Sequence, residues 1–143
     1  MKKVSDILAR KGKNIISVSH DTTVLDALKL MAEKNIGSVV VFKQNEYAGI
    51  LTERDYARKV ILLGKHSTDT LVEEIMSTDL PHITPDISIE ACMVLMSDKT
   101  IRYLPVFDAN NKLSGIISMN DVIDETILSQ KEIIEHLQNY LHS

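Results

Sequence analysis

DTTVLDALKLMAEKNIGSVVVF (residues 21–42) and DISIEACMVLMSDKTIRYLPVF (residues 86–107) align without a gap, and seven of the 22 pairs are identical: Asp21/Asp86, Leu30/Leu95, Met31/Met96, Lys34/Lys99, Ile36/Ile101, Val41/Val106 and Phe42/Phe107. One inserted residue later the register resumes, so that GILTERD (residues 49–55) falls on GIISMND (residues 115–121). Each copy thus holds a glycine, two apolar residues, a hydroxyl side chain and, three residues on, an aspartate. Two similar units imply a pseudo-symmetric pair, and a short polar motif kept in both has the same structural address twice.

Working outward, Val24, Ala27, Leu28 and Met31 recur at i, i+3, i+4 and i+7, as do Ile89, Cys92, Met93 and Met96. That spacing predicts an amphipathic helix in each copy, with Thr23 and Ser88 as N-caps. β-Branched runs at 36–42 and 101–107 read as strands, joined through polar turns (43–46 and 108–112) to second strands at 48–51 and 113–117. A second helix follows in each copy, over 53–63 with Gly64 as its stop, and from Asn120 onward. Residues 15–18 read as a further strand, matched by the region around Ile83. Short amphipathic pieces open the copies, VSDIL at 4–8 and VEEIM at 72–76, and RKGKN at 10–14 lengthens the first copy's loop. The expected fold is α/β (α+β), two β-α-β-β-α repeats with a C-terminal helix. Residues 1–63 form the first repeat, 64–71 (GKHSTDTL) a polar linker, 72–127 the second repeat and 128–143 a helical tail. The tail keeps Ile127, Ile134, Leu137 and Leu141 on one face, which should dock on the pair or on another subunit.

Half-sized repeats cannot each bury enough surface alone, so in a chain of 143 residues they must pack together. With 44% hydrophobic and 25% charged residues the composition is that of an ordinary globular protein. Sixteen basic against 20 acidic side chains give a net charge of −4, which supplies no basic stripe for nucleic acid. A single cysteine, Cys92, excludes an internal disulfide framework and suits a reducing compartment. No apolar run reaches the length of a signal sequence or membrane span, so a cytoplasmic location is expected.

Two readings of T-E-R-D (52–55) and S-M-N-D (118–121) stand side by side. In the first, Thr52 with Asp55 and Ser118 with Asp121 are capping boxes that only punctuate the helices. In the second, the helix's unpaired N–H groups and the hydroxyl receive a phosphate, while the aspartate, an acceptor, meets the vicinal hydroxyls of a ribose. Arg54 adds a cation to the first copy and Arg102 to the second, although a lone arginine is more often a solvated side chain. Cys92 and Met31, Met93 and Met96 fall on buried stripes and read as core. The five histidines show no metal-site spacing, and of them only His82 lies near a predicted cleft. Glu53 is explained by the helix dipole.

The V-x-D-I-L and V-x-E-I-M openings, the D-x-x-V-x-x-A-x-x-x-M helix, I-R-Y-L-P-V-F and the doubled G-I-h-[TS]-x-x-D together resemble a tandem pair of cystathionine-β-synthase (CBS) domains, also called a Bateman module. The match runs from about Val4 to Ile127 and leaves no room for a catalytic domain. The resemblance implies two repeats packed through their sheets about a pseudo-two-fold axis. It also implies clefts for AMP above all, or ADP, ATP, S-adenosylmethionine or NAD, and a homodimer in which two pairs form a flat disc. By the same resemblance Asp55 and Asp121 hold ribose hydroxyls, and Thr52 and Ser118 meet phosphate or ribose oxygens. The adenine slot is lined by Ile16, Ser17 and Val18 with Ile36, Gly37 and Ser38, or by His82 and Ile83 with Ile101, Arg102 and Tyr103, completed by Pro105. Gly37, Ser38 and Val40 depart from the family pattern in the first copy, as do Tyr103 and Asn120 in the second. The expectation is a non-catalytic nucleotide sensor acting on an unidentified protein partner or a dimer mate. A scaffold with vestigial clefts, or a small nucleotide-processing enzyme, is the alternative; the enzyme has no metal cluster, nucleophile–base pair or Walker-type loop behind it.

Overall fold

A computed structural model of the chain describes residues 2–12 and 14–142. In chain order its elements are α1 (Val4–Lys11), β1 (Ser17–Ser19), α2 (Val24–Lys34), β2 (Ser38–Lys43), β3 (Glu46–Thr52), α3 (Glu53–Tyr56) running into a π-helical turn (Ala57–Ile61), α4 (Val72–Ile75), α5 (Ile89–Lys99), β4 (Tyr103–Phe107), β5 (Leu113–Ser118) and α6 (Met119–His142). They gather into two compact units, one of Ile15–Asp79 and one drawn from Met1–Asn14 and Leu80–Ser143. The units and the sequence repeats are therefore cut at different places. The opening helix of the first repeat, α1, belongs to the unit of the second repeat's sheet, and α4 to that of the first.

The unit of Ile15–Asp79 is built on a three-stranded sheet, with β1 parallel and β3 antiparallel to β2. Its core joins Val24, Ala27 and Met31 of α2 to Val39, Val41 and Leu51 of the sheet and to Val72 and Ile75 of α4. The β2–β3 turn places Gln44 and Asn45 at φ 52° and 64°, the mirror-image two-residue turn whose twist suits a hairpin. The second unit repeats the plan on β4 and β5. There Val4 and Ile7 of α1 are fully buried against Ile89, Cys92 and Met96 of α5 and Leu104, Val106 and Ile117 of the sheet.

Both predicted N-caps are observed: Thr23 Oγ1 accepts from Asp26 N at 3.2 Å, and Ser88 Oγ from Ala91 N at 3.1 Å. The helix ends match as well. Ile36 N donates to Met31 O at 3.0 Å and Ile101 N to Met96 O at 3.0 Å, with Asn35 and Thr100 left-handed at φ 54°. This is the Schellman arrangement, in which the residue after the left-handed one packs back on the helix. It accounts for two of the identities, Met31/Met96 and Ile36/Ile101, which share one apolar cluster in each unit. Gly64, at φ 70°, closes the π-helical segment by the same device, with Lys65 N donating to Val60 O at 2.9 Å. The paired aspartates are turn residues: Asp21 accepts from Ser19 Oγ at 2.7 Å and Asp86 from Thr84 Oγ1. These hydroxyls hold both carboxyls below the ordinary range.

Two expectations need correction. The region around Ile83 forms no strand, only a single parallel bridge to Val106. In the first copy Val40 N donates to Ile16 O at 3.1 Å; the residue in Val40's place in the second copy is Pro105, which has no N–H to donate. The tail is not a separate helix but the continuation of α6, which runs unbroken for 24 residues. No helix among the described residues is long and apolar enough to cross a membrane.

The doubled glycine of the motif is where each opening segment docks. A Cβ on Gly49 would lie 2.7 Å from the Ser77 carbonyl oxygen, which accepts from Ile50 N at 3.0 Å. A Cβ on Gly115 would lie 2.7 Å from a methyl of Leu8. Backbone locked in a bridge cannot retreat, whereas a leucine side chain can turn. Gly49→Ala is therefore expected to cost about 1–3 kcal/mol and Gly115→Ala less than about 1 kcal/mol, read from urea-denaturation midpoints. Thr100, β-branched and left-handed, is strained where Asn35 is not; Thr100→Asn should raise stability by about 1 kcal/mol in the same assay.

Candidate functional site

The motif forms the strand-to-helix corner of each unit. Thr52 ends β3 opposite Ser38, and Ser118 ends β5 opposite Tyr103. The first helical amide then turns back to the neighbouring strand's approach, Glu53 N to Gly37 O at 3.1 Å and Met119 N to Arg102 O at 2.8 Å. Each corner thereby collects its predicted residues: Gly37, Ser38, Thr52, Arg54 and Asp55 in one, Arg102, Tyr103, Ser118, Asn120 and Asp121 in the other. Arg54, Arg102 and Asn120 are exposed, and Ser38 and Asp55 are buried.

Both corners are capping boxes. Thr52 N donates to Asp55 Oδ2 at 3.0 Å while Asp55 N donates to Thr52 Oγ1 at 3.1 Å. Ser118 N donates to Asp121 Oδ2 at 2.8 Å and Asp121 N to Ser118 Oγ at 3.1 Å. Beyond the box the two aspartates differ. Asp55 Oδ2 also accepts from the Thr52 hydroxyl at 3.0 Å, and its Oδ1 takes Ser77 Oγ at 2.9 Å and Lys59 Nζ at 3.0 Å. Both oxygens are spoken for, and the side chain is 7% exposed. Asp121 Oδ2 accepts from Lys11 Nζ at 2.8 Å, but Oδ1 has no donor among the described residues, and the side chain is 16% exposed. The Ser118 hydroxyl likewise donates to no acceptor among the described residues, so its proton is available where that of Thr52 is committed.

Three residues of these corners escaped the sequence reading. Lys59 was legible as an i, i+4 partner of Asp55. Ser77 follows α4 and Lys11 ends α1, and only the docking of these helices brings them in. Lys59 Nζ also donates to Ile75 O at 2.9 Å, and Lys11 Nζ to Ile116 O at 2.9 Å, so each lysine ties an acid to the neighbouring backbone.

Of the residues expected to line an adenine slot, Gly37, Ser38, Arg102 and Tyr103 stand at the corners, and the others lie further along the strands or against the cores. Ile16 and Ile36 are half-buried against the core. Ser17 and Val18 pair with Val40 and Val41 further along β2. With Ser19, Phe42, Gln44 and Asn45 they line a cavity of about 480 Å³, at the turn end of β2 and about 13 Å of strand from Ser38. His82 is exposed and stacks on Phe107, ring centres 4.2 Å apart. Ile83 and Pro105 are buried and Ile101 half-buried. Cys92 is fully buried, which pushes its thiol up to about 11. Burial likewise pushes Tyr47 up to about 12. No cluster of three metal-ligating side chains occurs among the described residues.

Comparison with known proteins agrees with this geometry. The family model described as the CBS domain matches the chain twice, over residues 4–62 and 72–128. The CBS domain-containing protein CBSX3, mitochondrial, of Arabidopsis thaliana is 36% identical over 96% of this chain and 71% of its own. A solved structure of a protein with CBS domains from Burkholderia ambifaria is 43% identical and superposes with a TM-score of 0.85 over 90% of this chain and 96% of its own. A hexameric CBS-CP12 protein from bloom-forming cyanobacteria is 31% identical, with a TM-score of 0.72 over 86% of this chain and 70% of its own. With two copies of the domain in sequence and the matching fold in space, this chain belongs to the CBS-domain family as a tandem pair.

Proposed function

We propose that the chain is a non-catalytic regulatory module that binds an adenosine nucleotide, AMP first among AMP, ADP, ATP, S-adenosylmethionine and NAD, and passes its occupancy to a partner protein or dimer mate. The observation that supports this reading is the state of the Ser118–Asp121 corner. Capping consumes one carboxylate oxygen of Asp121 and leaves the other an open acceptor, suited to ribose hydroxyls. The Ser118 hydroxyl and the exposed Arg102 and Asn120 are donors for phosphate oxygens. Lys11 adds a cation within contact of the same carboxylate. By this reading the corner of Asp121 carries recognition and that of Asp55, internally saturated, is structural.

A ligand on such a module works by binding one arrangement more tightly than another. No nucleophile paired with a base stands at either corner, so turnover is not part of the proposal. The cytoplasm and a homo-oligomer belong to the same reading, the latter in keeping with the hexameric relative. A scaffold role is the second reading, favoured by the fact that both aspartates already serve as caps.

Titration calorimetry against the five ligands separates the two readings. Saturation at a hundred times the dissociation constant should add about 2.7 kcal/mol and raise the melting temperature by roughly 5–10 °C. Asp121→Asn should abolish the heat of binding; a titration silent toward every adenosyl compound leaves the scaffold. The stability effects are expected in the opposite order. Asp55→Ala strands the buried partners of its carboxylate and removes a cap, costing about 2–4 kcal/mol, whereas Asp121→Ala loses little beyond the cap, about 1 kcal/mol, in urea denaturation without ligand.

A further inference from the structure

Along α6 the residues 123, 127, 130, 134, 137 and 141 are spaced by alternating steps of four and three, the spacing of a two-helix seam. All but Gln130 are large and apolar, and all are exposed, Leu137 by 56% and Leu141 by 76%. From residue 130 to 142 every residue is exposed, a length of about 20 Å. Lys2 reaches Glu132 at 3.5 Å, but Glu132 points away from the seam. A helical end of this length is marginal by itself in water, and an apolar stripe of this extent is unusual on a protein surface.

We infer that this stripe binds the same stripe of a second copy of the chain, the two α6 helices running antiparallel. With Ile133 and Tyr140 at its edge the part of the stripe that this pairing covers, residues 130–141, offers roughly 600 Å² per helix, the size of a weak, reversible interface. The charges favour a copy over other occupants. The rims hold a single charged residue along residues 130–142, Lys131, so an acidic or basic peptide finds no counterpart. The rest of the helix carries Asp121, Asp124, Glu125, Glu132 and Glu135 against that one lysine, which an anionic bilayer would repel. In the antiparallel pairing Ile134 faces the partner's Leu137, Ile133 faces the partner's Tyr140, and Lys131 faces the partner's Gln138, so no like charges meet. A parallel pairing would set Gln130 against the partner's Gln130.

Sedimentation of the full chain over a range of concentrations tests this, with circular dichroism to verify folding. The parent should show a concentration-dependent association step that Leu137→Asp weakens about a hundredfold or more, with its melting unchanged at concentrations where the parent too is a monomer, because Leu137 is exposed. Gln138→Lys should weaken the step about fivefold by opposing the partner's Lys131 at two symmetric points, and Lys131→Glu added to it should restore the parent's value. Leu137→Asp sedimenting like the parent, or Gln138→Lys without effect, overturns the inference. So does a parent that shows no association step but floats with phosphatidylserine-containing vesicles.

Discussion

The docking of a short helix from one repeat onto the sheet of the other is the contact on which both units depend. Val4 and Ile7 close the core around Leu104 and Ile117, and Val72 and Ile75 close the one around Val39 and Leu51. Two fully buried aliphatic side chains are worth about 3–6 kcal/mol per unit. That is a large part of the ~5–15 kcal/mol by which a whole domain is stable. The same contact explains the doubled glycine, since Gly49 and Gly115 are where the docking segments approach the sheet most closely. It also delivers the polar groups that distinguish the corners, Ser77 to Asp55 and Lys11 to Asp121.

Capping and ligand recognition are not rival uses of the motif. A capping box needs one carboxylate oxygen; a carboxylate has two. What decides between a structural and a recognising aspartate is what stands next to the second oxygen. At Asp55 a serine and a lysine fill it; at Asp121 the only added donor among the described residues, Lys11, shares the oxygen already used by the cap. Twin sequence motifs thus acquire different chemistry from neighbours that the motif does not contain.

Much of the fold was legible because its signals are local. Helix periodicity, the caps at Thr23 and Ser88 and the stop at Gly64 each depend on residues within a turn of one another, and all are observed except at Met93, expected in the core and found 39% exposed. The identities at Met31/Met96 and Ile36/Ile101 are visible in the sequence, but that they mark a helix-ending motif shows only in the backbone hydrogen bonds. The illegible parts were non-local or subtractive. Ser77 and Lys11 reach the acids across long stretches of chain, and nothing in T-E-R-D or S-M-N-D announces them. Pro105 belongs to a family pattern, but its physical effect, together with Pro85 in the place of His20, is the loss of two ladder donors around Ile83. The continuity of α6 was hidden because residues 128–143 carry their own apolar periodicity, which reads equally well as a new helix.

That continuity constrains how ligand occupancy could be transmitted. α6 begins at the Asp121 corner and ends in the exposed stripe, 24 residues apart, or about 36 Å. Its first turns are fixed to the unit by buried Val122 and by Glu125, 4% exposed and paired with Arg10 Nε at 3.1 Å. A helix held in this way passes on tilt and displacement but has no second internal state of its own. Coupling between the two ends therefore requires that the corner have two positions relative to its sheet, and that ligand and paired stripe prefer different or identical ones. Arg10 and Lys11 both lie in α1, so α1 grips α6 at two points, and any such shift has to move α1 against the sheet or break one grip. The Arg10–Glu125 pair is the costlier to break, because it would strand a buried carboxylate, which leaves the Lys11–Asp121 contact, at the aspartate of the proposed site, as the grip that can yield.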